Sequence, residues 1–359
     1  MADSARKQVV IVGGGYGGVS VAHALLDAVD RSKTAIVVIN DRERTVYFPA
    51  TARNAVADYD DRVSVPYDRL VPTDAGRFVL GAVVAVGDKH VELESGETVP
   101  FDVLVLAPGS HWRSFNDVPL TTDAIATHWK GFRERVHTAH SIVALGAGAV
   151  NLELMGEIAA NYPNKELYVV HGHDRVLKDH YPMSLRKDTE NILTSMGVQF
   201  KLGARGRVVD GGVELPTGET LKADLIVPSA GGRRRTEFLP AEWLVADGSV
   251  RVRPSLQTVQ RDDIFVAGDA VDMPKERNAG NVHGQVSVIV DNVKAVLANK
   301  DPKKRYKPSG EVLSMTFGQR RAVGIMETAL GFVRLPAALV SRSKNSDFES
   351  PRFNRSLNY

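Results

Sequence analysis

Glycines near the start of the chain have a spacing that lets backbone approach a phosphate group. Gly13, Gly15 and Gly18 form a G-x-G-x-x-G pattern, with Tyr16 and Gly17 between the last two. In such a loop the first glycine permits a tight turn, the second lets backbone approach a pyrophosphate, and the third lets a helix pack against a strand. The helix that follows offers unpaired N–H groups and a partial positive charge to the phosphates. These five residues are therefore predicted to bind a dinucleotide.

The residues around this loop have the patterns of the elements that must hold it. Residues 9–12 are a continuous β-branched run, which is typical of a strand buried on both faces. A helical stretch runs from residue 19 to about residue 29, and residues 35–39 form a second apolar strand. The residue after that strand is expected to bind ribose hydroxyls. Asn40 is the better placed candidate and Asp41 the better acceptor, so both remain candidates.

A second strand–loop–helix pattern lies in the middle of the chain. A strand over 141–145 precedes Gly146 and Gly148, and a helix and another strand, over 166–170, follow. The position of the third glycine holds Asn151. Its side chain is expected to crowd the helix against the strand or against a pyrophosphate.

The strand over 166–170 is not followed by an acid. A carboxylate there would bind the 2′-hydroxyl of NAD and repel a 2′-phosphate. The chain has His171 instead, with Arg175 and Lys178 a few residues further on. NADPH is therefore at least as acceptable here as NADH. The histidines of this segment lack a third ligand of defined geometry, so no metal site is predicted.

A distant segment gives an independent signal. Residues 263–269 form a short apolar run that ends in Gly268 and Asp269. Two further segments, 101–110 and 222–231, look like two copies of a strand after which the chain crosses between domains. The ends of these copies contribute Ala107, Gly109 and Gly231.

With these motifs the chain resembles the flavoprotein reductases that carry two dinucleotide-binding folds. Within them it is most similar to the apoptosis-inducing-factor-like group, which contains the ferroptosis suppressor, an NAD(P)H:quinone oxidoreductase. The resemblance implies an α/β fold with two nested Rossmann-like domains, as in glutathione reductase, and a small C-terminal region. The expected FAD-binding domain comprises 1–115 and 246–309, the NAD(P)H-binding domain 116–245, and the C-terminal region 310–359.

The resemblance also assigns site residues. FAD would be bound by the first glycine loop, by Gly268 and Asp269, by Arg53, and by the backbone of Val83 at the adenine. Glu153 stands where relatives carry a glutamate that contacts the nicotinamide side. Arg277, near a lysine of the relatives, and Gln285 are candidates to face the flavin or its acceptor.

The chain contains no cysteine. Relatives with a dithiol reduce disulfides or peroxides through it, and this chain has none to use. The flavin is therefore expected to deliver electrons directly to a small acceptor such as a quinone or dioxygen. The chemistry would belong to the cofactor, while the protein supplies orientation and electrostatics.

Two other hypotheses remain open. Because Asn151 departs from the pattern, the second site could be degenerate, and the chain would then be an FAD-binding oxidase, cyclase or isomerase of a specialised pathway. Alternatively, Arg233-Arg234-Arg235 and the basic run 300–305 could indicate an interaction protein like the DNA-associating members of the group. The net charge of +2 does not make a basic face, so no nucleic-acid partner is expected.

Composition agrees with an ordinary soluble protein, since 43% of the 359 residues are hydrophobic and 25% are charged. No apolar run is long enough to span a bilayer, and we expect a cytoplasmic location. The apolar segment 330–340 has basic flanks and suggests either a peripheral membrane contact or, because Pro336 interrupts it, packing on the flavin domain or on a twin subunit of a homodimer.

Overall fold

The computed structural model describes residues 6–228, 230–273, 279–308, 310–345 and 350–358. The strands in this part of the chain are β1 (Lys7–Val12), β2 (Thr34–Asn40), β3 (Gly76–Leu80), β4 (Val83–Val86), β5 (His90–Leu93), β6 (Thr98–Pro100), β7 (Val103–Leu106), β8 (Ser110–Arg113), β9 (Ser141–Leu145), β10 (Glu166–His171), β11 (Val198–Leu202), β12 (Arg207–Val209), β13 (Gly212–Glu214), β14 (Thr220–Lys222), β15 (Leu225–Pro228), β16 (Ala230–Arg234), β17 (Ile264–Val266), β18 (Val312–Phe317), β19 (Arg321–Thr328) and β20 (Gly331–Arg334). The α-helices are α1 (Tyr16–Ala28), α2 (Thr51–Asn54), α3 (Asp60–Val63), α4 (Thr122–Thr138), α5 (Ala149–Asn161), α6 (Met183–Ser195), α7 (Ala279–Leu297), α8 (Ala337–Asn345) and α9 (Ser350–Arg355).

The first sheet is parallel, with strand order β17-β7-β1-β2-β3. Its central strands are apolar and completely buried, as is typical of a parallel sheet covered on both faces. Helix α1 packs against α7. Strand β17 joins this sheet although more than 150 residues separate it from β7 in the chain. The first fold is therefore discontinuous in sequence.

The second parallel sheet has the order β11-β10-β9-β15 and lies between the two halves of the first fold in sequence. The chain crosses between the folds through an antiparallel ribbon of β8 and β16, in which Ser110 is opposite Arg234. Two small antiparallel sheets, β4-β5-β6 and β12-β13-β14, extend the two folds.

The C-terminal region forms an antiparallel sheet of β18, β19 and β20, which packs on helix α5. Gly156 of α5 lies directly under Phe317, where a Cβ would come within 2.6 Å of that ring. In the segment that sequence analysis singled out, Val340 is buried, whereas Leu330, Val333 and Leu339 are exposed. The membrane and homodimer contacts stay predictions.

The predicted α/β fold with two nested nucleotide-binding units is confirmed, and the residue boundaries of the domains stay a prediction. Across the described residues, no helix is both long enough and apolar enough to cross a bilayer.

Candidate nucleotide sites

In the first glycine loop, the second glycine borders open space, whereas the first and third are packed against backbone. Gly13 has φ +111°, and a Cβ there would lie 2.1 Å from the carbonyl oxygen of Ala107. A Cβ on Gly18 would lie 1.8 Å from the carbonyl oxygen of Gly13. A Cβ on Gly15, in contrast, would meet no described heavy atom within 4 Å. Packing thus requires the first and third glycines, while the second faces space that a ligand can enter.

Helix α1 begins beside that space. Its first turn contains no acidic residue, and no described side chain caps its N-terminus at Gly15. Gly17 lies close to the distant motif, since a Cβ on it would be 3.6 Å from Cα of Gly268. The N–H groups of the first helical turn and the positive end of the helix dipole therefore face the region where the two motifs meet, which suits a pyrophosphate.

Asn40 holds the glycine loop. Its Oδ1 accepts a hydrogen bond from the Gly14 N–H at 2.9 Å, and its Nδ2 donates to the Arg42 carbonyl at 3.1 Å and to the Tyr67 hydroxyl at 3.3 Å. The Tyr67 hydroxyl donates to the Gly14 carbonyl at 2.6 Å. Burial raises the pKa of Tyr67, so its hydroxyl remains a donor at physiological pH. The hydrogen bonds of the Asn40 side chain thus go to the loop and to its neighbours Arg42 and Tyr67.

Asp41 faces a cavity of about 350 Å³ at the carboxyl ends of β1 and β2, the edge where nucleotides bind in such sheets. The cavity is also lined by Val83 and Val84 and, from the second fold, by Arg235 and Phe238. Arg235 forms an ion pair with Asp41. Of the two candidates for the ribose, Asp41 is the one with a carboxylate in the cavity.

The Gly268-Asp269 motif forms a short turn after β17, with φ +70° at Gly268. The Gly268 N–H donates to Oε1 of Gln285 at 2.7 Å, and Gln285 is buried. Gln285 therefore shapes this turn. Asp269 accepts a hydrogen bond from the Ser110 hydroxyl at 2.9 Å. Arg277 lies outside the described residues.

Arg53 is buried between the folds. Its guanidinium lies 2.9 Å from Oε1 of Glu157 on α5 and also reaches the Gly318 carbonyl at 3.4 Å. Burial, which outweighs the nearby guanidinium, raises the pKa of Glu157. Arg53 therefore joins α2, α5 and the C-terminal sheet, and nothing in these contacts assigns it to FAD.

Aromatic side chains collect beside the first glycine loop. Phe353 of α9 stacks on Tyr47 at 4.9 Å between ring centroids and on Tyr16 at 5.7 Å. The Tyr16 hydroxyl lies 2.9 Å from Nε2 of His283, which is exposed. We call Tyr16, Tyr47 and Phe353 the aromatic cluster. It brings together three segments distant in sequence, so local patterns did not reveal it.

The second glycine loop also presents an open position. Gly146 has φ +99°, and a Cβ on Gly148 would meet no described heavy atom within 4 Å. The first turn of α5 has no acidic residue. Asn151 is buried, and its Nδ2 donates to the carbonyls of Leu145 at 3.2 Å and Gly146 at 3.1 Å. The amide of Asn151 thus bonds to the carbonyls that a third glycine would approach, and the expectation that Asn151 crowds the loop stays a prediction.

Glu153 is tied to the C-terminal region. Its Oε1 accepts hydrogen bonds from the Thr316 N–H at 3.0 Å and from Nζ of Lys344 at 2.6 Å. Glu153 is almost completely buried at this contact. Its expected role at the nicotinamide stays a prediction, and Lys344, which sequence analysis missed, is its observed partner.

Basic side chains surround the end of β10. The His171 and His173 rings lie 5.0 Å apart, and Nε2 of His171 is buried with no hydrogen-bond partner among the described residues. Burial, then the neighbouring charges of His173 and Arg186, lower the pKa of His171. Arg175 pairs with Glu190 at 2.7 Å. Arg205, which sequence analysis did not consider, is exposed and packs over Gly172.

No group of three or more potential metal ligands occurs in the described part of the chain. The arginine run 233–235, which raised the DNA-binding hypothesis, contacts protein carboxylates. Arg233 pairs with Glu237 at 3.2 Å, Arg234 lies 3.7 Å from Asp247, and Arg235 pairs with Asp41. Gly231 lies in β16, at the crossing between the folds.

Residues 7–288 match the model of the pyridine nucleotide-disulphide oxidoreductase family. The chain belongs to this family. It is 30% identical over 303 residues to the FAD-dependent oxidoreductase FVFD30 of Flammulina velutipes, covering 81% of this chain and 94% of the relative. It is 25% identical over 360 residues to the apoptosis-inducing factor homolog B of Dictyostelium discoideum, covering 89% of each chain. The predicted resemblance is thereby confirmed.

The fold is also similar to that of the sulfide:quinone oxidoreductase of Aquifex aeolicus. The TM-score is 0.77, with 16% sequence identity, 98% of this chain covered and 91% of the other. The protein is thus an FAD-dependent pyridine nucleotide oxidoreductase that uses FAD and NAD(P)H. Its residues fit these groups. The open positions at Gly15 and Gly148 leave room for two pyrophosphates, and the orphaned Nε2 of His171 lies at the end of β10.

Proposed function

We propose that the protein oxidises NADPH and reduces a small planar acceptor, of which a quinone is the best example. Bound FAD would supply the two-electron redox chemistry between NADPH and the acceptor. The overall reaction consumes one NADPH, one solvent proton and one quinone, and it yields NADP⁺ and a quinol. The observation that carries the proposal is the presence of two open nucleotide loops in a chain without any cysteine.

The FAD site in this proposal extends along the edge of the first sheet. The N–H groups at Gly15, Tyr16, Gly17 and Gly18 would hold the pyrophosphate, and Asp269 would accept hydrogen bonds from the ribityl chain. Asp41 would accept hydrogen bonds from the ribose in the cavity that Val83 lines.

Other residues would support the residues that contact FAD. Asn40 and Gln285 would do so through their side chains, which accept hydrogen bonds from the N–H groups of Gly14 and Gly268. Ala107 and Gly109 would do so through the backbone, and Gly13 would allow the tight turn of the glycine loop.

The NADPH site would lie on the second loop. Gly146 and Gly148 would hold the pyrophosphate at the N-terminus of α5, and Asn151 would fix the loop through its amide. His171 and Arg205 would receive the 2′-phosphate, because a carboxylate that would repel it is missing at the end of β10. Arg175 is a weaker candidate, since Glu190 already pairs with it.

The aromatic cluster supports a planar acceptor through Tyr16, whose ring is partly exposed, while Tyr47 and Phe353 are buried. Flat rings pack favourably on one another, and these rings adjoin the first glycine loop, whose helix begins at Tyr16. His283 bonds to Tyr16 and is exposed, so it offers a route for the solvent proton. The alternative of a degenerate second site is not favoured, because the Asn151 amide hydrogen-bonds to two carbonyls of that loop.

Steady-state oxidation of NADPH by the purified FAD-loaded protein tests the proposal. We expect turnover with a water-soluble benzoquinone and only background turnover with glutathione disulfide, because no thiol is present to form a mixed disulfide. Phe353→Ala should raise KM for the quinone and leave reduction of the bound FAD by NADPH unchanged. Fast turnover of glutathione disulfide, or no turnover with any quinone, would show that the proposed acceptor is wrong.

A further inference from the structure

The three consecutive arginines at the end of β16 point to three different places. Arg233 is largely exposed and pairs with Glu237 at the surface. The side chain of Arg234 is only 10% exposed and donates through Nη1 to the Ser110 hydroxyl at 3.1 Å. Arg235 directs its guanidinium to the Asp41 carboxylate. Arg234 therefore acts inside the protein, whereas Arg235, whose side chain is 39% exposed, acts at the cavity that Asp41 lines.

Arg234 reaches Asp269 through one hydroxyl. The Ser110 Oγ accepts the hydrogen bond from Arg234 and donates its own proton to Oδ2 of Asp269 at 2.9 Å. A hydroxyl has one proton to donate, so the guanidinium on its acceptor side fixes the direction of that proton. The second carboxylate oxygen of Asp269 then stays available to a ligand.

Arg235 reaches Asp41 directly, and both residues line the cavity at the end of β2. The side chain of Asp41 is only 13% exposed. The guanidinium of the next residue, Arg42, turns to the carbonyls of Val118 and Pro119, both at 2.8 Å. The Asp41 carboxylate is thus held by the Arg235 guanidinium and keeps lone pairs for ribose hydroxyls.

Both arginines come from the strand by which the chain returns from the second fold. In the ribbon Arg234 is opposite Ser110, and the Arg235 N–H donates to the Gly109 carbonyl at 3.1 Å. Their target carboxylates follow β17 and β2, which are three places apart in the first sheet. One short segment therefore reaches two separate points on the edge where a dinucleotide would extend.

We propose that Arg234 and Arg235 are positioning residues for FAD, which hold Asp269 at the ribityl end and Asp41 at the adenosine end. This inference rests on the proposed FAD site. It also means that the position of the returning strand, and with it the second fold, is coupled to occupancy of the FAD site in the first.

Titration of the FAD-free protein with FAD and with ADP tests the inference, with dissociation constants measured by calorimetry. Arg233→Gln is the matched control and should bind both ligands as the wild type does. Arg235→Gln should weaken the binding of FAD and of ADP by the same factor, about tenfold, since the hydrogen bonds that hold the Asp41 carboxylate are charged. Arg234→Gln should weaken FAD about fivefold and leave ADP unchanged, because ADP lacks the ribityl chain.

The pattern separates positioning from a general loss of structure. Weaker binding of ADP by Arg234→Gln, or equal binding of FAD by Arg235→Gln and Arg233→Gln, would overturn the inference. If a glutamine variant does not fold, Arg235→Lys and Arg234→Lys replace it, and each should bind more weakly than the wild type with the same selectivity. If the wild type itself binds no FAD, the proposed function fails before this inference is reached.

Discussion

The two glycine loops solve the same packing problem in different ways. In the first, Gly18 has no side chain, and a Cβ there would lie 1.8 Å from the Gly13 carbonyl. In the second, Asn151 occupies the equivalent position and donates its amide to the carbonyl of Gly146. Both loops retain an open second glycine.

The difference shows what the third position requires. The third position lies beside a carbonyl oxygen. A methyl group there clashes with this oxygen, whereas an N–H group can donate a hydrogen bond to it. A departure from the glycine pattern can therefore preserve a nucleotide loop if the new side chain is a donor. Four predictions follow from this comparison of the loops and of the strand ends beside them.

The largest effect is expected in the first loop. Gly18→Ala should lower the free energy of unfolding by about 3 kcal/mol. The new Cβ would clash with a backbone carbonyl oxygen, which cannot move aside as the end of a flexible side chain could. It should also abolish FAD retention on dialysis. Gly15→Ala is the control: it should leave the stability of the FAD-free protein unchanged and still weaken FAD. Equal urea midpoints for Gly18→Ala and the wild type would refute the account of this loop.

Removal of the distant carboxylate should weaken FAD without disturbing either loop. Asp269→Ala removes a charged acceptor worth about 1.5–3 kcal/mol. At 1.4 kcal/mol per decade, the dissociation constant should rise by about 10- to 150-fold. Fluorescence titration of the FAD-free variant measures it. Full flavin occupancy of Asp269→Ala after dialysis would exclude the proposed role.

In the second loop, stability is expected to depend on whether residue 151 donates or accepts a hydrogen bond. Asn151→Asp replaces the amide donor with an acceptor that faces two carbonyls, and it should lower the free energy of unfolding by about 2 kcal/mol. Asn151→Gly loses the same bonds but introduces no repulsion, so its loss should be about 1 kcal/mol. Urea unfolding of both variants gives the order. A stabilised Asn151→Gly would show that the asparagine does crowd the loop after all.

The smallest effect is expected at the end of β10. His171→Glu places an acid near the 2′ position and should shift the kcat/KM ratio from NADPH toward NADH by about fivefold, or about 1 kcal/mol. Arg207→Glu, an exposed change on β12, is the control. Because burial lowers the pKa of His171, the wild-type preference should not change between pH 7 and 8. Unchanged preference in His171→Glu would place the 2′-phosphate elsewhere.

Much of the fold could be predicted from the sequence, because β-branched runs and glycine spacings are local signals. Residues 9–12 and 141–145 were predicted as strands and lie in β1 and β9. The resemblance predicted that the segment with the Gly-Asp motif belongs to the first fold, and β17 joins the first sheet. The resemblance supplied the nesting of the two folds, which no single motif gives.

The site was less predictable where contacts join distant segments. Asn40 and Asp41 are neighbours that both line the cavity, and only the structure shows that the amide of Asn40 holds the loop while Asp41 supplies a carboxylate to the cavity. From the run 233–235, sequence analysis could infer only a positive charge. The carboxylates that it reaches, Asp41 and Asp269, are far away in sequence. Residue type alone likewise could not tell that the Asn151 amide meets two carbonyls.

The central claim is that both nucleotide loops are competent, and anaerobic mixing of the FAD-loaded protein with NADPH tests it most directly. The account predicts that the yellow absorbance of bound FAD bleaches on mixing, with NADPH effective at lower concentration than NADH. The contradicting result is a protein whose absorbance dithionite bleaches and neither NADPH nor NADH does.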